Sequence, residues 1–228
     1  MRKAFQILSV LTMLLLCLSP MATAELCGYP LADSRLSDYV VLYEPMQATD
    51  KQLAAANLFL SNFTEVGVDR IEDWYDDEVL VDFAHDHIWF NDQDAFEYGE
   101  YFNYNNCRVS DDSIQRIINN YFYDAPQVDL SRTRFDYRNG YYYHCETGGW
   151  TNCGFAHTTS IVPLGDNFYF VSFMIFGGGN FWENSVMSAS TEDILLEFGE
   201  PYFFGSAKIY AEDLSDRSTY KLVRYSRM

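Results

Sequence analysis

Apolar residues recur at helical spacing in the first half of the chain and in strand-like runs in the second. Thr49 with Gln52 three places on has the form of a capping box, and Leu53, Ala56, Leu60 and Phe63 follow on one face, so the spacing predicts an amphipathic helix over about 50–64. Asp76, Asp77 and Glu78 put negative charge at the positive dipole end of a second helix, roughly 77–90, which carries Val79, Leu80, Phe83 and Ile88. Ser110 caps a third, in which Ile114, Ile117, Ile118 and Tyr121 form the apolar stripe. After Pro126 the runs become aromatic and β-branched, and Asn139-Gly140 between Arg134–Arg138 and Tyr141–Cys145 is a strong hairpin signal. Phe155–Leu164 and Phe168–Phe176 flank Gly165-Asp166-Asn167, and Phe203–Ala211 and Thr219–Tyr225 flank a polar turn at 212–218. About six strands result. Phe168–Phe176 is apolar at both parities, which predicts a central strand covered on both faces, whereas the last run alternates weakly, as an edge strand would.

Three helices followed by a roughly six-stranded antiparallel meander argue for an α+β fold with the helices on one sheet face. NTF2-like and cystatin-like cones have this order, a resemblance at fold level only. The connection 177–201 is far longer than a hairpin needs, and Ser190, Ile194, Leu195, Phe198 and Gly199 predict a capped helix over Thr191–Phe198 within it. It is expected to fold over one end of the sheet as a lid. Residues 25–48, with Pro30 and Pro45 and few periodic positions, read as an irregular lead-in to a single domain over 49–228.

Arg2 and Lys3, the apolar stretch Ile7–Leu18 and Ala22-Thr23-Ala24 have the order of a cleavable signal peptide over 1–24, so a mature chain starting at Glu25 is expected in a secreted, periplasmic or otherwise extracytoplasmic place. The apolar stretch is too short to span a bilayer, and Leu16 before Cys17 is too large for a lipoprotein signal, so no membrane insertion is expected after cleavage. The formal net charge is −18, and cleavage would remove only basic residues, making it more negative still. Such a chain repels phosphate backbones and anionic headgroups, which excludes nucleic acid as an expected partner and favours cationic ligands.

The run Asn57–Glu65, the segment Asp82-Phe83-Ala84-His85, and the closing Ala207–Tyr210 and Thr219–Leu222 resemble an uncharacterised family of exported or membrane-tethered bacterial domains with no assigned activity. The resemblance spans about 49–226 and implies no catalytic residue.

Cys27, Cys107, Cys145 and Cys153 survive cleavage, an even number in an exported chain, which points to disulfides. Four cysteines allow three connectivities. Pairing Cys145 with Cys153 closes one short loop between strands, and pairing Cys27 with Cys107 staples the lead-in. The alternative reading of His144, Cys145, Cys153 and His157 as a zinc site meets poor geometry, because adjacent residues on a strand point to opposite faces.

His85 and His87 diverge on a helix, leaving Asp82 with His85 as a candidate acid/base pair or metal half-site, with His157 as a further catalytic candidate. The acids Asp92, Asp94 and Glu97 do not match an EF-hand, and Gly177–Asn180 lacks the lysine of a phosphate loop. No pattern calls for a cofactor. Asn62-Phe63-Thr64 is a glycosylation sequon inside a predicted helix. Phe181, Trp182, Trp150 and Tyr142 are the aromatic candidates for contacting a ligand. The favoured reading is therefore an exported binding module for a small ligand, glycan or protein segment, using an aromatic-rimmed pocket. Its alternative is an extracytoplasmic hydrolase working near Asp82 and His85.

Overall fold

Thr49 caps the first helix as its sequence dictates: Thr49 Oγ1 accepts from Gln52 N at 3.4 Å and Gln52 Oε1 accepts from Thr49 N at 2.9 Å, opening α1 (Asp50–Glu65). The computed structural model describes residues 44–72, 75–125, 127–145, 154–177 and 184–228. The residues described belong to one compact unit. The expected signal peptide over 1–24, most of the expected lead-in, Cys27, Trp150, Cys153, Phe181 and Trp182 lie outside them. No helix among the described residues is long and apolar enough to cross a membrane.

Asp76 caps α2 (Asp77–Asn91) by accepting from Glu78 N, and Ser110 caps α3 (Asp111–Tyr121) by accepting from Ser113 N. β1 (Arg70–Ile71) runs between α1 and α2, and β2 (Glu97–Tyr98) and β3 (Cys107–Ser110) between α2 and α3. Then come β4 (Asp136–Arg138), β5 (Tyr141–His144), β6 (Gly154–Gly165) and β7 (Phe168–Gly177). The chain closes with α4 (Asn184–Met187), α5 (Thr191–Phe198), β8 (Phe203–Ala211) and β9 (Tyr220–Arg227).

The strands form two antiparallel sheets, one ordered β1-β9-β8-β7-β6 and the other β2-β3-β5-β4, where the apolar pattern predicts a single meander. The reason is the length of the additional strands. Two residues at Arg70–Ile71 and two at Glu97–Tyr98 are too short to carry a periodic signature, and the four at Cys107–Ser110 alternate only over the minimum length, so pairing with distant partners makes them strands. β3 recruits β5 in the register Cys107↔His144 to Ser110↔Tyr141, which draws the Asn139-Gly140 hairpin away from the larger sheet.

One face of the larger sheet packs against α1, α2 and α3. Phe63 of α1 stacks on Phe83 of α2 at 4.6 Å and meets Tyr225 of β9 at 5.7 Å, while Val171, Phe173 and Ile175 of β7 join the same core. The alternate residues of β7, Met174 and Phe176, enter a second cluster with Phe155, Met187 and Ile194 beneath α4 and α5. Apolarity at both parities of β7 therefore does reflect cover on two faces. α5 starts at the Ser190 cap and stops at Gly199, whose φ of 80° places it in the left-handed region.

α1 also closes the outer edge of β6, which explains a row of buried polar residues on an otherwise apolar helix. Thr158 N donates to Asn57 Oδ1 at 2.6 Å, Ala156 N donates to Ser61 Oγ at 3.0 Å, and Thr64 Oγ1 donates to Gly154 O at 2.7 Å. One helical turn rises about 6 Å over four residues and two strand residues span about 6.7 Å, so side chains at 57, 61 and 64 stay in step with alternate edge groups. An unpaired strand edge is a template for aggregation, and here side chains occupy it. Asn57 Nδ2 further donates to Met187 O at 2.7 Å, tying α4 to the same helix.

Candidate functional site

The residues that sequence reading favours are scattered. Asp82 accepts from Thr133 Oγ1 at 2.7 Å and from Arg134 N at 3.2 Å, and lies 3.7 Å from Arg134 Nε, so it anchors the 133–134 turn and does not bond His85. His85 is fully buried between Phe135, stacked on it at 3.6 Å, and Phe96, edge-on at 5.6 Å. Its carboxylate neighbour is Asp86, with Oδ1 3.5 Å from Nδ1, close enough for electrostatic influence but not for a formed hydrogen bond. Burial holds His85 below the usual histidine range, against the pull of Asp86.

His144 joins this corner, its ring 5.4 Å from that of His85 and 4.9 Å from Trp89, and burial lowers its pKa as well. His157 sits elsewhere, on β6, with Nε2 3.0 Å from Thr191 Oγ1 at the start of α5, its pKa lowered by burial. The two histidines of the expected zinc set thus stand in different neighbourhoods, and no group of three metal-ligating side chains occurs among the described residues. Cys107 is buried and shares the inner face of its sheet with His144, whereas Cys145 is exposed. The expected partners of both, Cys27 and Cys153, lie outside the described residues.

Tyr142, offered as a ligand contact, is completely buried, and its hydroxyl donates to Leu130 O at 2.6 Å. It is a core strut. Its neighbours on β5 are also covered: Tyr141 lies under the Arg108 guanidinium at 3.9 Å and Tyr143 under Phe102 at 4.5 Å. Asn62, the sequon residue, is buried with Nδ2 donating to Leu58 O at 2.7 Å, so the nitrogen that would carry a glycan is turned into the helix.

A different set of groups converges where α1 ends. Glu65, Asp86, Phe90, Tyr202, Phe203 and Arg227 line a cleft of about 330 Å³. Its floor is the Gly154↔Gly177 pair at the ends of β6 and β7, and a Cβ on Gly177 would stand 2.1 Å from the Tyr202 ring. Tyr202 and Phe203 are 65% and 41% exposed, and the Arg227 guanidinium lies over the Phe203 ring at 4.6 Å. Arg227 itself is ion-paired with Asp69, and Asp86 with Arg134.

Glu65 is the unusual member. Its residue is 7% exposed, Oε1 accepts from Asn91 Nδ2 at 2.5 Å, and burial pushes its pKa up to about 7 against the opposing effect of that hydrogen bond. The same Asn91 nitrogen lies 3.2 Å from His87 Nδ1. His87 packs on Tyr121 at 4.6 Å, and burial brings its pKa down to about 4. At neutral pH this corner therefore presents a carboxyl that can give or take a proton, beside a neutral imidazole.

The sequence held one sign of Glu65. An acidic residue in the last turn of a helix faces the negative end of the dipole, where a base is the favourable choice, so it has a reason other than helix stability to be there. Tyr202, Phe203 and Phe204 after Pro201 held no such sign, since a run apolar at successive positions equally fits a strand covered on both faces, as β7 is. Comparison with protein-family models, with curated proteins and with solved structures finds no match to this chain.

Proposed function

We propose that this chain is an exported binding module whose ligand enters the cleft between the C-terminal end of α1, α2 and the start of β8. The observation that carries the reading is Glu65, a buried carboxyl with a pKa of about 7 that lines an open cleft bordered by exposed aromatic rings. Burying a carboxyl beside only a neutral amide costs stability, so its position favours a role in contacting something outside the fold. Tyr202 and Phe203 supply flat apolar area at the rim, and Glu65 and Asp86 supply hydrogen-bonding and charge within. A small ligand, a glycan or a protein segment fits this chemistry. The order of elements shared with NTF2-like and cystatin-like cones, which place a pocket between helices and a sheet, is an analogy only.

The test is binding to glycan and peptide arrays by the wild-type chain and by a Tyr202→Ala, Phe203→Ala double variant. The reading expects a ligand class held by the wild type and weakened on the order of a hundredfold in the double variant, as for aromatic anchors at an interface, with little change in melting temperature. Equal binding by both proteins would remove the cleft from consideration.

The hydrolase reading has one observation in its favour, in a different place from Asp82 and His85. Two carboxyls, Glu65 and Asp86, line one cleft, and burial leaves Glu65 able to act as a general acid at neutral pH. Glu65→Gln separates the two functions: turnover of a bound ligand that stops while binding persists would establish catalysis, and a ligand recovered intact from the wild type would exclude it.

A further inference from the structure

A second cavity, of about 300 Å³, lies between the C-terminal end of α3 and the start of β9, and its chemistry is opposite to that of the cleft. Its floor is aromatic: Phe59 lies nearly parallel to Tyr121 at 5.9 Å and tilted against Tyr220 at 5.3 Å. Arg217, Lys221 and Asn120 line it too. Two cations on one cavity are unexpected in a chain with 33 acidic and 15 basic residues.

Arg217 is the informative residue. Each of the other described arginines is engaged: Arg70, Arg108, Arg116, Arg132, Arg134, Arg224 and Arg227 in ion pairs, and Arg138 over the Phe102 ring at 3.7 Å. Arg217 alone among them has neither kind of partner. Shortage of carboxylates does not explain this, because Asp213 and Asp216 stand close by in sequence. Both are turned into their own loop, Asp213 Oδ1 accepting from Ser215 N at 2.7 Å and Asp216 Oδ1 from Ser218 N at 3.0 Å and Ser218 Oγ at 2.7 Å. Lys221 Nζ donates to Asn119 O and Asn120 O, each at 2.7 Å, which fixes the ammonium at the cavity wall with one of its three protons left over.

We infer that this cavity binds an anion carried on a flat apolar body, an aryl phosphate or aryl carboxylate, with the anionic group on Arg217 and the remaining Lys221 proton and the ring against the Phe59, Tyr121 and Tyr220 floor. A guanidinium offers a planar fork that matches either head group, and its single charge-assisted contact is worth enough to dominate so small a ligand. The site is independent of the acidic cleft and does not rest on the function proposed for it.

Calorimetric titration of the full chain at low ionic strength with phenyl phosphate, benzoate and inorganic phosphate tests the inference, with backbone amide shifts at Asn120 and Ser218 reporting the location. Saturable binding of phenyl phosphate or benzoate at about millimolar concentration or below is expected, with inorganic phosphate weaker because it lacks the ring. Arg217→Gln should weaken the aryl anion about tenfold or more, Arg217→Lys should restore part of the loss, and Arg132→Gln, which removes the same charge from an exposed ion pair, should leave it unchanged. Arg217 is exposed and unpaired, so its replacement leaves the fold intact. Absence of saturable binding by either aryl anion, equal affinity in Arg217→Gln, equal weakening by Arg132→Gln, or inorganic phosphate binding as tightly as phenyl phosphate would each overturn it.

Discussion

Two diverging faces of α2 hold buried ionisable groups and differ in what surrounds them. Around His85 the imidazole is enclosed by Phe135 and Phe96, and the nearby carboxylate Asp82 is consumed by Thr133 and Arg134. Around His87 and Asn91 the network reaches Glu65, which lines an open cleft beside exposed rings. The first corner has the residue types of a catalytic site, but its imidazole is sealed under aromatic rings. The second has space and a displaced pKa, with residue types that attract no notice in sequence. The difference teaches that reactive side chains identify a site only when access is seen with them.

The largest expected effect is on the enclosed corner. Asp82→Ala removes the acceptor of two hydrogen bonds and an ion-pair partner of Arg134, and should cost about 3 kcal/mol in urea unfolding, because hydrogen bonds to a charged acceptor are the stronger kind and both are lost together. A chain of unchanged stability that has lost ligand binding would reverse the roles of the two corners.

Next in size is Glu65→Gln. Glu65 keeps its proton in the folded chain to about pH 7 where the ordinary value is 4.5, so its contribution to stability is present below 4.5 and is lost as pH rises through 7. The substitution should therefore stabilise the chain by about 2–3 kcal/mol at pH 8 and leave it near wild type at pH 4, while weakening ligand binding in the cleft. His87 has the opposite sign: with its pKa brought from 6.5 to about 4, its contribution is present above 6.5 and is lost as pH falls toward 4. Between 4.5 and 6.5 the two slopes oppose each other in the wild type, and Glu65→Gln should unmask a steeper rise of stability with pH. A stability–pH curve identical to wild type would show that Glu65 titrates normally.

A smaller change is expected from His85→Leu. Neither ring nitrogen has a formed hydrogen bond, so an apolar side chain of similar reach should hold stability within about 1 kcal/mol at pH 8. Because burial lowers the His85 pKa, its contribution is lost as pH falls below 6.5, and the variant should be the more acid-resistant of the two. Thermal melts at pH 5 and pH 8 measure both, and a large loss at pH 8 would reveal polar partners for the imidazole.

Gly177→Ala should be the mildest. The new methyl would displace the Tyr202 ring, which is mostly exposed and can swing aside, so stability should move by less than about 1 kcal/mol while the shape of the cleft rim changes. Ligand affinity is the sensitive readout, and an unaltered affinity would mean that Tyr202 is not part of the binding surface.

Local codes are what the sequence determined alone. The Thr49, Asp76, Ser110 and Ser190 caps, the stop at Gly199 and the Asn139-Gly140 turn each act through hydrogen bonds or backbone angles within a few residues, so they are legible from neighbours in the chain. The two-sided apolarity of β7 is legible too, because burial on both faces needs apolar residues at every position. Tertiary structure alone decided which strand Cys107–Ser110 joins, since the alternation of its four residues names no partner and Tyr141–His144 lies more than thirty residues on. It also decided that Asn57 and Ser61 seal the edge of β6, because their partners lie 101 and 95 residues away. The candidate site belongs to this second kind. The pKa of Glu65 follows from how much water α2 removes from it, and desolvation is a property of the packed fold and not of the order of residues along the chain.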